Sequence, residues 1–528
     1  MKLNYRRTIF VGFAFFLICA FWQAYDNIIA LTLTNKFGMP QAYSGIIMAF
    51  DNILALFMLP LFGALSDKCR SKMGKRTPFI LIGTVLAAVA FIGLSFVDNM
   101  QVTNIKDVSA IDSESSLTVL YDYDYGNTVL KDTNGKEFKV TDFSRDQFLS
   151  IKTDTKWDTE GNVIADPDNY EGKSISPYAE YVSPARQAYA WDQTLHNPNT
   201  LIFFVGLLLV VLLSMAIFRS PAVALMPDVT PKPLRSKGNA VINLMGSAGG
   251  VIVLVLGMVF GTGNAKNGLM SYVTFFSVIA ALMILSLIIF LFTVKENRFV
   301  QEMEEKSKQL GVEDVASDDK AGDRKLSRGE MASLLLILAS VALWYMGYNA
   351  ATTKFSYYAS TVLLKDFNMT MIIAQAAAII SYLPVGMISS KLGRKKCILA
   401  GVAILGIAFG SAYFVSATTP TIIMNILFAL AGIGWATINV NSFPMVVELA
   451  KGGNVGKYTG YYYTASMAAQ VLTPFLSGLL MDKVSDTTLF PYATVFVVGS
   501  FITMLFVKHG DSLAAPKASA LENFDIED

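Results

Sequence analysis

Asp26, Asp51, Arg219 and Lys354 lie inside long apolar runs of the chain. Inside a bilayer an ionisable side chain is unstable unless it is paired or faces water, so each marks a place where charge is used. Asp26 stands about eight residues before the end of its run and Asp51 about eight after the start of the next. At about 1.5 Å per helical residue, both lie roughly 12 Å below the same boundary. Two carboxylates at one depth repel, and sharing a proton relieves the repulsion, which is the chemistry of a proton carrier. Lys354 lies at a similar depth in the seventh run, where it either pairs with Asp26 or Asp51 or snorkels to the interface. Arg219 offers a planar fork of donors that suits sugar hydroxyls or a carboxylate, or neutralises a buried aspartate.

Amides recur at helical spacing in other runs: Gln23 and Asn27, Asn239 and Asn243, then Asn349, Asn439 and Gln470. Trp22, Tyr25, Trp344, Tyr348 and the tyrosines from Tyr461 to Tyr463 add aromatic faces. Each alone is as readily an interhelical hydrogen bond or core packing as a ligand contact. Together they have the makings of a sugar site, with amides for hydroxyls and aromatic faces for C–H surfaces.

The elements that must position these groups follow from composition. The chain has 528 residues, of which 53% are apolar and only 16% charged, where a soluble protein carries about a quarter charged. Twelve apolar runs long enough to cross a bilayer lie near 8–34, 43–65, 78–97, 199–226, 238–261, 271–294, 331–359, 370–389, 397–416, 420–447, 458–481 and 489–508. The basic loops "DKCRSKMGKR", "KPLRSK" and "KLGRKK" and the 295–330 linker fall on one side. The positive-inside rule makes that side cytoplasmic, with both termini, in a plasma or inner membrane. The first run is read as a retained helix, because it is too long for a signal peptide and lacks a convincing cleavage site.

The segment 98–198 is an outer insertion with 18 acidic and 9 basic residues, a net charge of 9 − 18 = −9. Positions 117–140 read as strands around an Asn134-Gly135 turn, which predicts a small β-rich domain. It holds no cysteine, so its own core must hold it together. An internal repeat pairs "FWQAYDNIIALTLTNKFGM" with "LWYMGYNAATTKFSYYASTVLLKDFNM", setting Asp26 opposite Asn349 and Tyr25 opposite Tyr348 at 349 − 26 = 323. The glycines of "FGALSDK" and "VGMISSK" share that offset, 386 − 63 = 323. The expected fold is an all-α polytopic membrane protein with twelve transmembrane helices in two pseudo-symmetric six-helix halves. Its divisions are 1–97, 98–198, 199–296, 297–329, 330–510 and a tail at 511–528.

Gly63, Asp67, Lys68, Gly74, Lys75 and Arg76 resemble the signature between helices two and three of the major facilitator superfamily. "GALSDKCRSKMGKRTPFILIG", "RSPAVALMPDVTPKPLRSKGNA" and "GIGWATINVNSFPMVVELA" are most similar to its sucrose–proton symporters and glycoside–pentoside–hexuronide cation symporters. The resemblance implies a secondary transporter with a cytoplasmic gate built from Gly63, Asp67, Lys75, Arg76, Asp228 and Arg235. It also implies a cavity wall that includes Arg219. Sodium-coupled members carry two carboxylates in helix two where this chain has Ala55 and Leu59, and a further one where it has Arg219. The sodium site is therefore missing, and the proton is the expected coupling ion.

Other classes find little support. There is no Walker motif, nucleophile triad or metal-ligand spacing, so no enzyme activity, cofactor or metal is expected, and no nucleic-acid partner. His196 and His509 lie outside the apolar runs, which removes a histidine relay within the membrane. Cys19, Cys69 and Cys397 fit neither a disulfide nor a metal site. The expectation is a monomeric proton-coupled sugar or glycoside symporter working by alternating access. A uniporter or exchanger of another polar solute stays open, as does a nutrient receptor that binds ligand through 98–198.

Overall fold

Apolar side chains drive the chain into lipid, and helices are the segments that satisfy their own backbone hydrogen bonds there. The computed structural model describes residues 4–158, 160–165, 174–230, 235–309, 326–449 and 455–510. Among them, 12 helices are long and apolar enough to cross a membrane: Tyr5–Lys36, Gln41–Lys68, Thr77–Asn104, Asn199–Met226, Val241–Phe260, Val273–Thr293, Arg328–Val362, Phe367–Gly386, Arg394–Ala412, Thr421–Val446, Tyr461–Lys483 and Asp486–Leu505. These are spans 1 to 12. The chain is a multi-pass membrane protein.

Two apolar cores divide the spans. Phe21, Phe91, Phe218 and Phe276 centre the first, from spans 1 to 6, with the Phe91 and Phe276 rings stacked at 4.2 Å. Ile337, Phe409, Phe490 and Val497 centre the second, which is built from spans 7 to 12 and reached by Leu31 of span 1.

Spans 1 and 7 end alike, at the face that carries the insertion. Each closes in a π-helical turn, Thr32–Lys36 in one and Tyr358–Val362 in the other. The Phe37 and Met39 amides donate to the Thr32 and Leu33 carbonyls, and the Leu363 and Lys365 amides donate to those of Tyr358 and Ala359. The hydroxyls of Thr34 and Ser360 both turn back onto the carbonyl four residues earlier. Gly38 (φ 66°) and Leu364 (φ 52°) then take the same left-handed conformation. Their separation, 364 − 38 = 326, corrects the repeat offset of 323 at this end. A slip of three residues is nearly one helical turn, so a pattern of aromatic and polar residues looks alike in either register.

Gly38 is held to glycine twice over. Its backbone is left-handed, and a β-carbon would overlap the backbone of Gln187, Ala190 and Trp191 in the insertion. Gly38→Ala is expected to lower stability by more than about 1 kcal/mol from backbone strain alone, read as a lower melting temperature in detergent. Equal melting of variant and wild type would contradict that account.

The insertion does have its own core, centred on Leu117, Phe148, Trp157, Val182 and Tyr189 and completed by Leu269 from the loop between spans 5 and 6. The hairpin also forms: Leu130–Lys131 pairs antiparallel with Glu137–Phe138 around Gly135 (φ 84°). The β-rich expectation needs correction, because the only other sheet among the described residues pairs Trp157–Asp158 with Ser174–Ile175. Helices Glu114–Asp122, Arg145–Leu149 and Ser183–His196 outweigh the strands. Ser113 caps the first by accepting the Ser116 amide, so 117–122 is helical where strand was expected.

Candidate functional site

Span 1 places its acid by a local irregularity. Tyr25–Ile29, the "YDNII" stretch, is π-helical, a wider turn that recurs at functional sites and re-aims the residues on it. Asp26 thereby lines a cavity of about 350 Å³ between the two halves, within the range of small-molecule pockets. Gln23 and Ser247 share its first-half wall. The opposite wall comes from spans 7, 8 and 10. There Tyr348 stacks face to face on Trp435, with centroids 3.7 Å apart and planes at 5°, and Tyr345 meets Trp435 edge-on. Gln375 of span 8 crosses the gap to donate to the Gln23 side-chain carbonyl.

The charges behind the first-half wall form one group. Asp51 accepts from the Asn52 amide at 2.8 Å. Asp26 is within electrostatic reach of both Asp51 and Arg219. The Arg219 guanidinium lies 5.5 Å from the Trp22 ring centroid. The structure thus brings Asp26, Asp51 and Arg219 together.

Lys354 departs from its expected role. Its ammonium donates to the Gln41 carbonyl at 2.9 Å, the Gln41 side chain at 3.1 Å and Ser44 Oγ at 2.8 Å, and it is buried. It pairs with neither Asp26 nor Asp51 because its side chain points to the insertion face, where span 7 meets span 2. Asp482, at the end of span 11, accepts the Gln41 and Ala42 amides at 2.7 Å each. A carboxylate thus caps the start of span 2, favoured by the helix dipole, and Lys354 holds the same residue from the other side. The two halves are closed on each other at this face.

The other expected contacts are scattered. Tyr25 and Trp344 are withdrawn into the first and second cores and do not line the cavity. Asn27 is buried with its Oδ1 unpartnered among the described residues, and Asn243 is buried on span 5. Asn349 donates to the Gln470 carbonyl at 3.5 Å, a link within the second half. Asn439 is half-buried on span 10. Among the cavity residues missed are Trp435 and Gln375. Both carried a signal, an indole and an amide inside apolar runs, the same signal that selected Trp22 and Gln23.

At the far face Arg76 gathers the expected gate. It donates to Asp228 Oδ2 at 2.8 Å, to Asp67 Oδ1, to Ser66 Oγ and to the Gly63 carbonyl. The Lys75 side chain is exposed, and that of Arg235 lies outside the described residues. Glu296 was not foreseen. It accepts the amides of Lys75, Arg76 and Thr77 at 2.6, 2.9 and 2.8 Å and the Thr77 hydroxyl at 2.7 Å, capping span 3. Gly74 (φ 118°) makes room, since a β-carbon there would overlap the Glu296 carboxylate. No group of three or more His, Cys, Asp or Glu among the described residues is placed to hold a metal ion.

Comparison with known proteins agrees with this architecture. A family model described as "Major Facilitator Superfamily" matches residues 188–381 and 365–520, more than half of the chain, and "MFS/sugar transport protein" matches 10–111. Similar stretches occur in the human "Proton-associated sugar transporter A", 34% identical over 96 residues (18% of this chain, 12% of that one). A sucrose transport protein of Arabidopsis thaliana is 41% identical over 59 residues (11% of this chain, 10% of that one). The chain thus matches only a small part of these relatives' length. In fold it is similar to the inward-open xylose transporter of E. coli, with TM-score 0.53, 13% identity and 99% of both chains covered. It is also similar to a bacterial homologue of the iron transporter ferroportin, with TM-score 0.58, 12% identity and 96% and 99% covered.

Proposed function

We propose that this chain, which belongs to the major facilitator superfamily, moves a sugar or glycoside together with a proton by alternating access of its two halves. One observation carries the reading: the two walls of the cavity have different chemistry. The first half supplies Asp26, with Asp51 and Arg219 behind it, while the second supplies the stacked Tyr348–Trp435 pair. A stacked aromatic face suits the C–H side of a sugar ring, and Gln23 and Gln375 suit its hydroxyls. A carboxylate bordering the same cavity can take up a proton from water on one side and release it on the other, with the permanently charged Arg219 favouring the deprotonated form. The names of the sugar-transporting relatives support the solute class.

In this reading the basic-loop face is cytoplasmic with both termini, the membrane is the cell membrane and the insertion lies outside. The divisions drawn at 97/98 and 198/199 then separate the outer domain from the transporting body, and one chain suffices as a monomer. Closure through Lys354, Gln41 and Asp482 bars the outer face, and the Arg76–Asp67–Asp228 group belongs to the cytoplasmic gate. The substrate contacts are Gln23, Tyr348, Gln375 and Trp435, with Arg219 nearby.

The test is solute-driven proton movement by purified protein in liposomes, across a panel of mono- and disaccharides and glycosides. Trp435→Ala, which removes the stacked face, is expected to weaken apparent solute affinity by roughly ten- to a hundredfold, from about 1–3 kcal/mol of lost stacking and burial. Sugar flux that ignores pH and voltage favours the uniporter, and no flux for any sugar defeats the proposal.

A further inference from the structure

Both halves touch the insertion, but in different ways. Its attachment to the first half is covalent at the ends of spans 3 and 4 and buried between them. Gln101 donates to Thr194 Oγ1 at 3.0 Å and to the Lys36 carbonyl at 3.0 Å, and Thr194 donates to the Phe37 carbonyl at 3.0 Å. Leu269 completes the insertion's core, and Lys266, in the same first-half loop, pairs with Asp154 at 3.3 Å.

Toward the second half it makes a shallower seam. Lys131 reaches the exposed carbonyl of Lys483 at 3.0 Å, and Ser485 donates to the Thr133 carbonyl at the base of the hairpin turn. Thr418 donates to the Ser174 carbonyl at 3.4 Å. Gln187 and the Tyr357 hydroxyl meet at 3.4 Å, and that hydroxyl donates to Asp486 at 3.1 Å. Lys131–Lys483 and Thr418–Ser174 are single exposed contacts that water can replace, and Ser485–Thr133 is a single buried one.

We propose that the insertion is a leaf of the outer gate: it travels with the first half, and its hairpin seam on the loop from Lys483 to Asp486 parts whenever the outer face opens. This rests on the alternating-access reading. If spans 2 and 11 separate at Gln41 and Asp482, the loop after span 11 moves with them, and the hairpin base bonded to that loop must let go. An insertion rigidly joined to both halves would prevent opening.

Two cysteine pairs test this, in a chain carrying Cys19→Ser, Cys69→Ser and Cys397→Ser. Lys131→Cys with Lys483→Cys spans the seam, and Asp154→Cys with Lys266→Cys joins the insertion to the first half. Spin labels on the first pair, in lipid nanodiscs, are expected to give a second, longer distance population, and labels on the second pair a single one. One unchanging distance at the seam, or two at Asp154/Lys266, overturns the proposal. A cleavable thiol cross-linker across Lys131/Lys483 is expected to reduce liposome flux by about tenfold or more until it is reduced, because it blocks a gating step. The same linker across Asp154/Lys266 is expected to leave flux intact. Flux unaffected at the seam, or lost at both pairs, also overturns it. Absence of flux before cross-linking defeats the transport reading instead, and the spin-label distances still decide the role of the insertion.

Discussion

Replacing Asp26 with Asn is expected to abolish pH-driven accumulation of the solute while leaving solute exchange in place. The amide keeps the size and hydrogen-bonding capacity of the side chain but takes up no proton. An inward gradient of about 2 pH units supplies about 2.7 kcal/mol per proton, enough for roughly a hundredfold accumulation at one proton per solute. An uncoupled carrier only equilibrates the solute, so the full hundredfold is at stake. Asp26, not Asp51, is the first choice because it borders the cavity, whereas Asp51 is engaged by Asn52. The measurement is uptake into liposomes with and without an imposed pH gradient, set beside counterflow at equal pH. Accumulation by Asp26→Asn at the wild-type level would clear Asp26 and move attention to Asp51.

The largest loss of stability is expected from Asp98→Ala. Asp98 and Lys36 form an ion pair at 2.7 Å with both side chains fully buried, and Lys36 also donates to the Met270 carbonyl and lies 3.7 Å from the Tyr272 ring centroid. Removing the carboxylate strands an ammonium away from water, a change that costs about 3–5 kcal/mol in buried pairs. Lys36→Met combined with Asp98→Leu removes both charges and is expected to recover most of that loss. Melting of the two variants beside wild type in detergent separates the outcomes. If the double variant melts as low as Asp98→Ala, packing and not charge holds this junction together.

That pair also shows where sequence reading stops. Twelve spans followed from hydropathy and loop charge, two halves from the internal repeat, and the grouping around Arg76 from the family resemblance of its short motifs. Hydropathy falls at Asp98, Asn99 and Gln101, which predicts a third span ending at 97 and places Asp98 in the insertion. The helix continues to Asn104 because the insertion and the end of span 1 cover it, which is tertiary information. The approximate height of Lys354 on span 7 is legible from residue counting, but not the direction of its side chain, which is set by Gln41 and Ser44 of another span. Glu296 lies two residues beyond the sixth apolar run in a charged linker, and only folding brings it to the first turn of span 3. Trp435 lay within a quoted motif, but its partner Tyr348 is on another span, and stacking between them leaves no mark on spacing.

The corrected offset gives one more reading of the contact between Asn35 and Thr361, which meet at 3.4 Å and are equivalent positions, 361 − 35 = 326. Only residues at a two-fold axis touch their own counterparts, as in an isologous dimer, where such a residue must be complementary to itself. Here both subunits of that dimer are parts of one chain, so the restriction is lifted: one copy has Asn where the other has Thr. Gln187, which belongs to an insertion that only one copy carries, donates to Asn35 from above. Fusion of the halves thus permits at the axis what a true dimer forbids, a single asymmetric side chain seated over the centre of symmetry.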